Sequence, residues 1–167
     1  MVESIRTPYQ LTEHVKFVQK TTLVFDGRVL ILKRGPQENT RRNCWDLPGG
    51  NVNWPKNLKK PVLDPHKQDA VREVREESGI IIDESELVAD NISHFETYFE
   101  PDEETYKIYC GWQVELPSDF DPNSIQISNE HTEFAWVNID ELDKYDFGGE
   151  AGQFIVKQIK NSLKKHE

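Results

Sequence analysis

Apolar and polar residues along this chain keep two different periods. Residues 15–25 and 28–33 are rich in β-branched, aromatic and aliphatic side chains and predict two strands. Asp26-Gly27 between them is the pair favoured in a type I′ hairpin turn. A second hairpin is expected over residues 87–99 and 104–116, around Pro101-Asp102-Glu103. There Phe95, Thr97 and Phe99 alternate with His94, Glu96 and Tyr98. Phe134 to Val137 adds a short strand, and Asn138 is placed to cap a brief helix containing Glu141 and Leu142. The period lengthens over residues 65–78, where Ala70, Val71 and Val74 share a helical arc. Asp64 suits the N-cap of that helix, Pro65 its first position and Gly79 its C′ stop. Residues 149–165 form a closing helix with Phe154, Ile155, Ile159 and Leu163 as its stripe. Residues 34–44 read as a polar loop, and Pro55 and Pro61 keep residues 51–63 irregular. With no repeat and no linker, residues 1–167 read as one α/β domain with a mixed sheet between helices.

Composition narrows the classes. No apolar run approaches the 18 or so residues of a membrane span, and the N-terminus lacks the apolar core of a signal peptide. A cytoplasmic location is therefore expected, with no membrane partner. The mean hydropathy of −0.71 is low, but 4 Trp, 5 Tyr and 8 Phe argue for a packed core. Cys44 and Cys110 have neither zinc-site nor disulfide-framework spacing. A net charge of −10 argues against gripping polymeric nucleic acid, which takes clustered Lys and Arg. A small anionic ligand stays compatible, provided a divalent cation bridges it to the protein.

The charges of Arg72-Glu73-Val74-Arg75-Glu76-Glu77-Ser78-Gly79-Ile80 are unusual for a helix. Glu73, Glu76 and Glu77 fall within one arc, where they repel one another by a few tenths of a kcal/mol per pair. They also sit in the last turns before Gly79, at the negative end of the helix dipole. Residues that break two local rules together point to a functional site. Clustered carboxylate oxygens are what a hard cation such as Mg²⁺ takes, and a solvated acidic face is the competing reading. Gly49-Gly50, after Trp45-Asp46-Leu47-Pro48, predicts a tight turn with its backbone free to approach a ligand.

Together these segments resemble the Nudix box, Arg-Glu-apolar-x-Glu-Glu-x-Gly-apolar, with Leu47-Pro48-Gly49-Gly50 as its lead-in. The resemblance covers residues 17 to 145 and implies an α/β/α sandwich that hydrolyses a nucleoside diphosphate linked to another moiety. Mg²⁺ is the implied cofactor, with Mn²⁺ as the substitute. Carried over by position, Glu73, Glu76, Glu77 and the Gly50 carbonyl are the implied metal ligands. One of the glutamates, or Glu130 downstream, supplies the base, and Arg72 steadies the acidic helix by ion pairing. Trp45 and Tyr98 are the aromatic candidates for substrate contact. The implied partner is a small nucleotide derivative, and a homodimer is compatible. A sugar-nucleotide hydrolase and a non-catalytic binding module on the same fold are the alternatives.

The chain departs from the pattern in one stretch. Asp64 stands where the box would carry its first glutamate, and thirteen residues separate it from Gly50, an insertion of about eight. Asp64 is then either an N-cap or a shorter replacement for that acid. Trp54, Lys56, Lys59 and Lys60 in the insertion are placed to reach a ligand or to stay solvated. His66 falls on the glutamate face two turns earlier, where an exposed histidine is expected. Phe95 stands where relatives that cleave ADP-ribose tend to carry proline.

Overall fold

The computed structural model describes residues 14–53, 55 and 59–164. Trp54 and Lys56, two of the candidates from sequence, lie outside the described residues. Six strands form one mixed sheet: β1 (Val15–Phe25), β2 (Arg28–Arg34), β3 (Trp45–Asp46), β4 (Ile92–Glu100), β5 (Thr105–Glu115) and β6 (His131–Val137). The helices are α1 (Pro65–Ser78) and α2 (Gln153–Lys164). The strands lie in the order β3-β2-β1-β5-β4, with β6 also on β2. β1 and β5 run parallel, and the other pairs are antiparallel.

The first hairpin turns at Asp26 and Gly27, whose φ angles of 50° and 69° give the expected type I′ geometry. Its two strands then part, pairing only at Val24–Val29 and Phe25–Arg28. Residues 45–52 fill the gap. Trp45 and Asp46 pair with Lys33 and Leu32 of β2. The carbonyls of Pro48 and Gly50 accept the N–H groups of Thr21 and Gln19 at 2.8 and 2.9 Å, and Val52 N–H donates to Phe17 at 2.7 Å. The strand β3 is too short to show in the sequence pattern, yet it carries the glycine pair into the sheet.

Both sheet faces are covered. Along β2, Leu30 and Leu32 pack with Ala70 and Val74 of α1 and with Trp112 and Val114 of β5. Val29 and Ile31 pack with Ile155, Ile159 and Leu163 of α2. A strand buried on both faces reads as an unbroken apolar run, and the Val29-Leu30-Ile31-Leu32 run does so. The expected α/β/α sandwich is thereby observed.

Three boundaries differ from the sequence reading, the first being β6, which starts at His131 rather than Phe134. Residues 87–91 precede β4, because Asp83 and Glu86 form a reciprocal capping box on a 3₁₀ turn at Glu84–Glu86 and a second turn follows at Ala89–Asn91. The closing helix starts as a 3₁₀ turn, Gly149–Gly152, before α2. Cys44 and Cys110 are buried free thiols. Among the described residues, no helix is long and apolar enough to cross a membrane.

Candidate active site

Helix α1 lays Glu73 and Glu77 against the Gly49-Gly50 turn. Glu77 is buried, and one of its oxygens accepts the Gly49 N–H at 2.9 Å. Burial pushes its carboxyl up to about 7, although Lys20 and the Gly49 N–H pull the other way. Glu73 lies against Gly50: a Cβ on that glycine would come within 3.3 Å of the carboxylate. Gly49 has φ 136°, and a Cβ there would sit 2.2 Å from the Gln19 carbonyl oxygen. Only glycine fits that position.

Arg72 organises the remaining carboxylates. Its guanidinium donates to Glu73 at 2.6 Å, Glu76 at 2.7 Å and Asp69 at 3.2 Å. Burial works against its charge, but these acids outweigh it and hold the guanidinium above its ordinary value. The like-charge repulsion expected along this helix is thus offset by one arginine. Among the described residues, no three acidic, histidine or cysteine side chains converge as a metal cage in this arrangement. The donors along the loop and helix are nevertheless all hard oxygens, which suits Mg²⁺. The Gly50 carbonyl accepts from Gln19 and keeps a second lone pair.

Lys20 and Asp46 do what the sequence reading missed. Lys20 is buried in β1, and its ammonium donates to Asp46 at 3.0 Å, to Leu47 O at 3.1 Å and to Gly49 O at 2.8 Å. All three donors are used, so the Gly49 peptide is held at its C=O by Lys20 and at its N–H by Glu77. Asp46 is buried and also pairs with Arg34 at 3.2 Å and with Arg41. Burial opposes its charge, but Lys20, Arg41 and Arg34 prevail and lower its pKa. The signal available was a lysine in the middle of an otherwise buried strand, which needs partners.

A cleft of about 740 Å³ runs from Gly49, Gly50 and Asn51 past Lys20, Arg34 and Arg41 to Tyr98, Tyr109 and Phe154. Tyr98 is on its wall, with the Lys107 ammonium 5.5 Å from the ring centre. Trp45 is not among the lining side chains: it packs edge-on against Tyr145 at 5.2 Å, under Lys33. Glu130 has an exposed carboxylate, and its carbonyl accepts the Gly35 N–H at 2.8 Å in the turn before β6. Next to it His131 is buried, which lowers its pKa to about 4. His66 is no exposed histidine: it stacks on Trp112 at 6.0 Å and touches Phe17 at 5.6 Å. Lys59 and Lys60 are exposed.

Asp64 takes the N-cap position with left-handed backbone, φ 48°, and its side chain makes no capping hydrogen bond. It pairs instead with Lys67 at 3.2 Å. The side-chain cap expected from the sequence is therefore corrected to a turn that needs positive φ. Asp64→Gly and Asp64→Asn should melt within about 0.5 kcal/mol of wild type, since both tolerate this conformation. Asp64→Ala and Asp64→Ser should each lose about 1 kcal/mol. Thermal melts decide it, because a true side-chain cap would spare the serine variant.

The NUDIX domain family model matches residues 21–157. The chain belongs to the Nudix family. Its fold is shared with the MutT protein of Methanosarcina mazei Go1, at a TM-score of 0.62 and 22% identity over 95% of this chain and 99% of that one. The MutT NUDIX hydrolase of Burkholderia pseudomallei gives a TM-score of 0.61 and 22% identity over 87% and 98%. A C. elegans Ap4A hydrolase in a binary complex gives 0.53 and 23% over 87% and 94%. No curated protein sequence matches the chain. Nudix hydrolases act on phosphorus-containing substrates, bind small nucleotide derivatives and generally use divalent metals.

Proposed function

We propose that this protein is a cytoplasmic, Mg²⁺-dependent Nudix pyrophosphohydrolase that splits the diphosphate linkage of a nucleoside diphosphate derivative, with Mn²⁺ able to substitute. The observation that carries this reading is the acidic face of α1 pressed onto the Gly49-Gly50 turn at the end of a nucleotide-sized cleft. Glu73, Glu76, Glu77 and the Gly50 carbonyl would hold the metal. Once bound, the ion offsets phosphate charge and acidifies its water. Arg72 holds Glu73 beside the turn and pairs with Glu76, Lys20 fixes the Gly49 peptide, and Tyr98 offers a ring to the substrate. A nucleotide panel with Mg²⁺, Mn²⁺ or EDTA tests the reading. Metal-dependent release of a nucleoside monophosphate and a phosphorylated second product is expected. A free sugar as product, binding without turnover, or full turnover in EDTA would overturn it.

Glu130 is assigned as the base or as a further metal ligand, carried by the turn before β6 and engaging once substrate is bound. As the base, Glu130→Gln should lower kcat by about 10²-fold or more at an unchanged Mg²⁺ requirement. As a ligand, it should raise the Mg²⁺ needed and be partly rescued by more metal. Kinetics equal to wild type would remove Glu130 from the site.

A further inference from the structure

Strand β4 turns Glu96, Tyr98 and Glu100 to the cleft on one face, and its outer edge and other face carry a feature that hydrolysis leaves unused. Among the described residues, β4 pairs with β5 on one side and with no strand on the other. Proteins usually blunt such edges with lysine, proline, bulges or a covering element. Residues 94–100 contain neither lysine nor proline, and the irregularity in β4 lies earlier, between Ile92 and His94. Of the two charges there, Glu96 is already held by Lys157 of α2 at 3.3 Å and by His94 at 2.9 Å. Phe95 and Phe99 are 62% and 58% exposed on the same face of this strand. Large aromatic side chains beside an open edge call for an occupant.

We propose that the occupant is a second copy of this chain, with two β4 strands pairing antiparallel about a two-fold axis at Thr97. An axis that relates two antiparallel strands of one sheet stands perpendicular to the sheet, so each face continues into the same face of the second copy. Centred on Glu96, the pairing would set that carboxylate against itself; centred on Tyr98, it would oppose Glu96 and Glu100. Both registers place like charges directly opposite, which destabilises. Centred on Phe95, it would run across Ser93, whose carbonyl already accepts from Asn161 of α2 at 3.0 Å, and would leave Phe99 unmatched.

The Thr97 register avoids all of this. It uses residues 94–100 alone and matches Phe95 with Phe99 of the second copy twice. On the other face it sets His94 opposite Glu100 and Glu96 opposite Tyr98, again twice. Both aromatic pairs are of the stabilising kind, and His94, bonded to Glu96 of its own strand at 2.9 Å, meets no like charge.

Light scattering and sedimentation of the full chain across a wide concentration range should give twice the 19.5 kDa chain mass. Thr97→Lys sets two ammonium groups together at the axis and should give a folded monomer, although it also removes the bond that Thr97 accepts from the Tyr106 hydroxyl at 3.0 Å. Thr97→Cys should cross-link rapidly on oxidation, since residues opposite each other at the axis approach disulfide distance and Cys44 and Cys110 are buried. The exposed control Ser118→Cys should not cross-link. A wild-type monomer at every concentration overturns the proposal, and so would the edge being covered by another segment of the chain. A dimer that Thr97→Lys leaves intact and Thr97→Cys fails to cross-link overturns it too. Should Thr97→Lys fail to fold, the cysteine pair decides alone.

Discussion

Glu76→Gln and Glu77→Gln should each lose hydrolysis by at least about 10²-fold, the lower scale for removing a catalytic acid–base group, while both variants stay folded. The two differ in what else changes. Glu76 is exposed and pairs with Arg72 at 2.7 Å, so its neutralisation should cost no more than about 0.5 kcal/mol of stability. Glu77 is buried, with its carboxyl raised to about 7 from an ordinary 4.5. An acid held that high favours folding most below pH 4.5 and loses that contribution as pH rises through about 7. In metal-free buffer, Glu77→Gln should therefore melt above wild type, by a margin that opens between these two values and persists above them. The amide oxygen can still accept the Gly49 N–H, so the fold of the turn is kept. Steady-state rates and melts across pH check both halves. Undiminished activity in either variant would remove that residue from the catalytic set.

Lys20→Met should be the most damaging change to the scaffold of the site. It leaves two backbone carbonyls without their donor and takes one cation from buried Asp46. Removing one partner of a buried ionic cluster costs several kcal/mol. Because Arg34 and Arg41 remain on Asp46, roughly 3 kcal/mol is expected, the lower end of that range. For a chain of this size the fall in Tm is about 6–12 °C. Turnover should drop by roughly 10- to 10²-fold, because the freed Gly49 peptide no longer seats the loop against Glu77. Lys20→Arg should fall between the two, since a planar fork cannot aim three donors as an ammonium does. Calorimetry and kinetics test the pair, and unchanged Tm and kcat in Lys20→Met would refute the role.

Much of the fold was readable before any coordinates, because local chemistry set it. Asp26-Gly27 accepts positive φ at both turn positions, so the hairpin follows from two residues. Pro65 and Gly79 bracket α1 for equally local reasons. Asp64 shows where such reasoning stops: its residue type suits a side-chain cap, but the preceding loop delivers the backbone at φ 48° and the carboxylate turns to Lys67. Trp45 has the composition of a ligand platform and is instead packed on Tyr145, a residue 100 positions later.

The sequence by itself determined the acidic face of α1, the glycine pair and the hairpins, because each depends on residues a few positions apart. It also carried the charge pattern that pointed to a hard cation. Only the tertiary structure decided that β1 and β2 part and admit residues 45–52 between them. It likewise decided that Lys20 lies beneath Gly49, and that Tyr98 rather than Trp45 lines the cleft. These are contacts between segments far apart in the chain. Their energies come from burying charge with its partners and from closing a sheet around a loop, and no local period records either.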